Sequence, residues 1–168
     1  MVSWAVLPRV SYTLAYSHYF AEALAIASEN GGERIAKLLI DKGADINADA
    51  GHFGSFRQAA AWHGRKEMVE LFLKNGANGN ASCGHFGSAL QAALANGEAH
   101  LAEVLLAEGA NIHAEGGFIG SALQAAAYQG YEDIIKLLLN KGVDINTQGG
   151  KFGNALRAAL HAGSLSTV

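Results

Sequence analysis

GSALQAAAYQGYEDIIKLLLNKGVDINTQGG, residues 120–150, carries the signals of two short helices and a turn-rich connection in one stretch. Ser121 precedes ALQAAAYQ, where its side-chain oxygen can accept from the free amide groups of a helix start. Gly130 then breaks the chain. YEDIIKLLLNKG opens with acids, ends with a lysine and stops at Gly142, the order that the helix dipole and a left-handed terminal residue favour. Ile134, Ile135, Leu137, Leu138 and Leu139 cover more than one stripe, so this second helix is expected to be covered on two sides. The first helix is rich in small residues, Ala125 and Ala126 among them, which lets helices pack closely. The GVDINTQGGKFGN stretch that follows reads as a loop or hairpin.

Working outward, the same unit recurs. GHFGSFRQAA at 51, GHFGSALQAA at 84, GFIGSALQAA at 117 and KFGNALRAA at 151 place Gly54, Gly87, Gly120 and Gly153 at a constant spacing of 33 residues. Ser88, Ser121 and Asn154 stand at equivalent helix starts, with Gly31, Gly64, Gly97 and Gly130 as the breaks. AKLLIDKGADINA, VELFLKNGANGNA, AEVLLAEGANIHA and IKLLLNKGVDINT repeat in register too, with Gly43, Gly76, Gly109 and Gly142 closing the second helices. The spacing predicts repeats over about 17–49, 50–82, 83–115 and 116–148, and a shortened one over 149–168. Residues 1–16 are left as a lead-in or N-terminal cap.

Helix, turn, helix and hairpin at this period resembles the ankyrin repeat, with S-A-L-Q where that family usually has T-P-L-H. The glycine- and phenylalanine-rich hairpin opening is similar to a variant common in long fungal ankyrin arrays. The resemblance covers roughly 17–168 and implies an all-α solenoid of helix-turn-helix units joined by hairpin loops, serving as a protein-protein interaction module.

Composition agrees with such a domain. Half of the residues are apolar, 16% are charged, and a formal charge of −3 with interspersed signs lacks the basic footprint of a nucleic-acid binder. A single cysteine, Cys83, excludes an internal disulfide, which points to a reducing compartment, cytoplasmic or nuclear. Pro8 and Arg9 interrupt the apolar N-terminal run, and no uninterrupted apolar segment reaches the roughly 18 to 20 residues that span a bilayer, so no membrane association is expected.

A two-helix unit cannot bury its own apolar face, so each is stabilised by its neighbours and the product of stacking is a surface. Specificity is expected where columns vary. At the end of the first helix they read Glu29, Trp62, Ala95, Tyr128, His161 and then Asn30, His63, Asn96, Gln129, Ala162. The resemblance places the matching positions on a concave binding face, which implies that Trp62, His63, Asn96, Tyr128, Gln129 and His161 face a partner. The alternative is that Trp62 and Tyr128 pack against adjacent repeats. At the hairpin tips, Phe53, Phe86, Ile119 and Phe152 are expected to stack as a structural ladder, and the mixed column His52, His85, Phe118 and Lys151 is the better contact candidate.

Other signals point away from catalysis and cofactors. The seven histidines raise a metal site, yet His52 and His85 are equivalents in successive repeats, and that spacing is expected to keep their nitrogens from one ion. No catalytic motif stands out, and the glycines fall at unit boundaries. Asn80-Ala81-Ser82 is read as a coincidental glycosylation pattern and Cys83 as a small tolerated residue.

Arg57 occupies the column of Leu24, Leu90, Leu123 and Leu156, and Gly79 that of Ile46, Ile112 and Ile145. The second repeat is therefore expected to lose two core side chains, with Phe56 refilling part of the volume. The last repeat reaches HAGSLSTV where its second helix would start, so the fourth is only half covered. Either the array continues in a longer protein or self-association closes that face. A structural spacer remains the rival to a recognition module.

Overall fold

A computed structural model describes residues 9–163, with side chains from 17 onward. The expected cap over 1–16 thus lies outside the described residues, apart from the backbone of 9–16, as does 164–168. Helices α1 (Arg9–Asn30), α2 (Glu33–Asp41), α3 (Phe56–Trp62), α4 (Lys66–Lys74), α5 (Ala89–Ala95), α6 (Ala99–Ala107), α7 (Ala122–Gln129), α8 (Glu132–Asn140) and α9 (Ala155–Ala162) follow in chain order. α1 continues back to Arg9 as one unbroken helix.

The first helices α3, α5, α7 and α9 each start on a side-chain cap. Ser55, Ser88, Ser121 and Asn154 accept from the backbone N–H of Gln58, Gln91, Gln124 and Arg157 at 3.2, 3.3, 3.2 and 2.9 Å. Second helices have no such cap. They begin directly after a tight reversal: Gly130 takes φ +76°, and the Tyr131 N–H donates back to the Ala126 carbonyl at 3.0 Å, closing α7 and launching α8.

First helices carry the stacking, α1 on α3, α3 on α5, α5 on α7 and α7 on α9, while each second helix leans on its own first helix. Alanine makes this possible. Ala60, Ala93, Ala126 and Ala159 are fully buried at these junctions, where larger side chains would hold the helices apart. Leucine fills the remaining space: Leu24, Leu90 and Leu123 are buried, and Leu156, in the same column of α9, is 49% exposed.

Between helix pairs the chain forms hairpins. β1 (Glu115–Gly116) and β2 (Gly120–Ser121) pair antiparallel, and Cys83 with Gly87 and Gly149 with Gly153 make the equivalent bridges in the neighbouring units. The result is the expected all-helical array with small hairpins along one side.

The second repeat departs from expectation. It does not simply lose two core side chains, because Arg57 is itself buried and its Nη1 lies 3.5 Å from where a Cβ on Gly79 would stand. The missing isoleucine makes room for the guanidinium. Phe56 is fully buried against Phe72, with ring centroids 6.3 Å apart.

Candidate binding surface

The hairpin tips are joined through their main chains. The N–H of His85 donates to the His52 carbonyl at 2.9 Å, Phe118 to His85 at 2.5 Å and Lys151 to Phe118 at 2.8 Å. Such bonding sets a strand-like spacing of about 4.8 Å, well under the 8–10 Å between packed helices. The side chains of this column follow the main chain. His52 and His85 stack with centroids 4.5 Å apart, His85 and Phe118 at 4.8 Å, and the Lys151 ammonium sits 5.1 Å from the Phe118 ring centre and 5.2 Å from that of Phe152.

This geometry adds to one expectation and corrects another. The mixed column is a stacked ladder as much as the apolar one, in which Phe53 and Phe86 stack at 5.7 Å. Repeat spacing also does not keep His52 and His85 apart, since the tips converge more closely than the helices. They meet as ring faces. Imidazole lone pairs lie in the ring plane, so this stacking does not aim two nitrogens at one point. Among the described residues no group of three histidine, cysteine or acidic side chains could hold a metal ion.

Glutamines at one position of the repeat lock α3, α5 and α7 each to the next hairpin. Gln91 Nε2 donates to the carbonyls of Gly116 and Gly120 at 3.3 and 3.0 Å, and Gln124 Nε2 to those of Gly149 and Gly153 at 3.0 and 2.9 Å. Gln58 Nε2 makes the same pair, to Cys83 at 2.9 Å and to Gly87. All three side chains are buried, so each bond is made where a lost partner could not be replaced by water. The signal was on view in the sequence as a glutamine recurring with the repeat, but its acceptors lie 25 and 29 residues downstream.

At the first-helix ends, packing and exposure combine. Trp62 is half-buried and stacked on Phe86 at 3.9 Å, and Tyr128 is half-buried and stacked on Phe152 at 5.0 Å. His161 is exposed, 5.1 Å from the Phe152 ring, and half-buried His63 lies 5.5 Å from Phe53, its Nδ1 2.9 Å from the Ala59 carbonyl. Asn96 and Gln129 donate to the carbonyls of Trp62 and Ala95 in the preceding unit at 2.9 and 2.8 Å. The alternative of packing against adjacent repeats therefore describes part of what Trp62 and Tyr128 do.

Sequence reasoning missed further ties of this kind. Tyr131 donates to Gly97 O at 2.6 Å, and burial, then the Glu98 charge, push its phenol pKa upward. Asn47 and Asn80 accept from the N–H of Asn78 and Asn111 at 2.9 and 3.0 Å. His113 takes the next place in that column.

His52, Phe118 and Lys151 are exposed and His85 is half-buried, so the site residues form one strip: the tips, then the rings of Trp62, Tyr128 and His161 behind them. The strip offers π-faces, one ammonium and polar amides on hairpin tips joined by main-chain hydrogen bonds. Among the described residues, no helix is long and apolar enough to cross a membrane.

Comparison with known families gives two matches. Residues 56–149 match the family model of ankyrin repeats in three copies, and residues 23–50 match that of a single ankyrin repeat. No curated protein gives a match to the chain.

Proposed function

The chain belongs to the ankyrin repeat family, and from that premise we propose that it binds a partner protein along the strip formed by its hairpin tips and first-helix ends. Ankyrin repeats are generally protein-protein interaction modules and typically non-enzymatic. The observation that carries the reading is the ladder of His52, His85, Phe118 and Lys151, rings and ammonium held in register by main-chain hydrogen bonds. A partner meeting this strip orders few side chains that are not already ordered, which lowers the entropic cost of association. Aromatic residues in such a setting are the usual anchors of an interface. Trp62, Tyr128 and His161 supply the inner edge, with His63, Asn96 and Gln129 between them. The absence of an internal disulfide partner for Cys83 supports a reducing compartment, cytoplasmic or nuclear.

The test is affinity capture from the native cell extract with the intact chain and with Phe118→Ser/Lys151→Glu. Loss of a specific band in a variant that keeps its helical circular dichroism supports the reading. Unchanged capture counts against it.

A second reading has its own observation. Leu156, Leu160 and Ile145 are exposed beside a hollow of about 170 Å³ lined by Leu123, Ile135, Leu139 and Leu156. This supports a structural role in which copies associate end to end. Sedimentation over a concentration series separates the two: a mass that rises with concentration and falls back in Leu156→Glu/Leu160→Glu favours assembly.

A further inference from the structure

Arg57 is 4% exposed, on α3, in a column that is otherwise leucine. Its Nε is buried without an acceptor, and among the described residues no hydrogen bond or ion pair uses the guanidinium. A buried donor left in this state is destabilising, because Nε has lost water and gained no acceptor. Native structures rarely keep such a group without a use for it.

The guanidinium borders a cleft. Arg57, Asn47, Ser55, Asn78 and Cys83 line an open space of about 350 Å³ between the loop after α2 and the hairpin of the second repeat, and Arg57 is the one charged residue among those lining it. Gly79 leaves the guanidinium its room, for an isoleucine there, as in the equivalent columns, would meet Nη1. Further polar donors stand around the cleft. The Ser55 oxygen accepts from Gln58 N–H, which leaves its own hydrogen free to point outward. Asn47 Nδ2 is held only by a long 3.4 Å bond to Gly76 O. Asp45 and Asp49 on the adjoining loop each commit a carboxylate oxygen to a backbone N–H, of Asn47 and of Gly51.

We propose that this cleft binds a small free oxyanion, phosphate or a short carboxylate, with Arg57 as its principal ligand. The chemistry follows from the donor set: a planar fork of N–H groups matches two oxygens of one anion, and a hydroxyl and an amide lie beside it. The volume is at the lower end of small-molecule sites, which suits an anion of a few heavy atoms. Burial also depresses the Arg57 pKa, with the Glu108 charge opposing in part, so the group is one whose charged form gains from an anion brought alongside. This site stands independently of the partner strip, on other residues.

The experiment titrates the full chain with inorganic phosphate, and separately with acetate, replacing chloride so that ionic strength stays constant. Two signals are followed: the arginine Nε–Hε cross-peak of Arg57 and the thermal midpoint. The expected result is a saturable shift of that cross-peak and a rising midpoint, with the response at least tenfold weaker in Arg57→Leu. Leucine is the residue of this column elsewhere, and Arg57→Leu/Gly79→Ile, which restores both columns, serves if the single variant folds poorly. An equal response in wild type and leucine variants, an unmoved Arg57 cross-peak, or no response to either anion overturns the proposal. A response to phosphate alone, or to acetate alone, supports it and fixes which anion the cleft takes.

Discussion

His85 is tied to His52 twice, once by stacked imidazoles at 4.5 Å and once by a main-chain hydrogen bond of 2.9 Å. The two ties differ in kind. The bond is blind to side-chain identity and sets the distance between hairpins, whereas the rings exploit the distance already set. It is the tight spacing of the main chain that makes a column of mixed residues stack.

Backbone approach at this ladder leaves no room for a side-chain carbon on Gly84, Gly117 or Gly150, whereas Gly51, which opens the first hairpin, has nothing within 4 Å. Gly84 takes φ +67°, and a Cβ there would run into the backbone of Phe53 and Gly54. Gly76 takes φ +85° with nothing near it. Gly76→Ala is expected to cost about 1 kcal/mol, the strain of a left-handed alanine alone. For Gly84→Ala the added collision raises this to about 3 kcal/mol, and urea unfolding of the two variants side by side measures the difference.

Gln91→Leu keeps the volume of a buried side chain and removes its polar end. The carbonyls of Gly116 and Gly120 lose their donor, and the Ser88 N–H loses the Gln91 Oε1 that it reaches at 2.7 Å. The expected loss is about 3 kcal/mol. Amide exchange gives the sharper readout: protection should fall in the next hairpin, 115–121, more than in the helix that carries the substitution.

Trp62 and Tyr128 serve the stack as well as the proposed interface, so alanine is the wrong probe of binding. Trp62→Ala is expected to destabilise by about 2 kcal/mol, since a half-buried ring stacked at 3.9 Å on Phe86 is lost. Tyr128→Phe keeps the ring on Phe152 and should leave stability within about 0.5 kcal/mol. Thermal unfolding checks both, and a weakened partner in Tyr128→Phe then reports on contact rather than folding.

In the second repeat, an unpartnered cation sits where the third and fourth have leucine. Amides of α3 and α4 should exchange faster than those of α5 to α8, and Arg57→Leu/Gly79→Ile should slow them. Equal protection across the three repeats would tell against a weak second unit.

The fold was legible because its signals are local and periodic: Ser88, Ser121 and Asn154 cap as their spacing requires, and Gly130 turns the chain as a helix end needs. What escaped depends on pairs of units. Gln91 stands where the ankyrin pattern has histidine, and nothing within its own repeat reveals that two carbonyls of the next hairpin wait for it. The spacing between helices overstates the separation of His52 and His85, because it is not the distance between tips. Arg57 and Gly79 read as two separate losses because residues 22 apart in sequence gave no hint that one fills the space of the other. The strip residues were identifiable as variable columns, and their shared role in packing was not.

The hairpin ladder also bears on how such a chain can change over generations. The third and fourth units each bring a donor N–H, an acceptor carbonyl and a clamping glutamine, so a complete copy of either spliced in beside it, or the loss of one, finds matching chemistry at both new joints. A gain or loss of one residue inside a unit misaligns all of them together. Whole modules can therefore be added or dropped, and tip side chains rewritten one at a time, while the frame between them stays fixed.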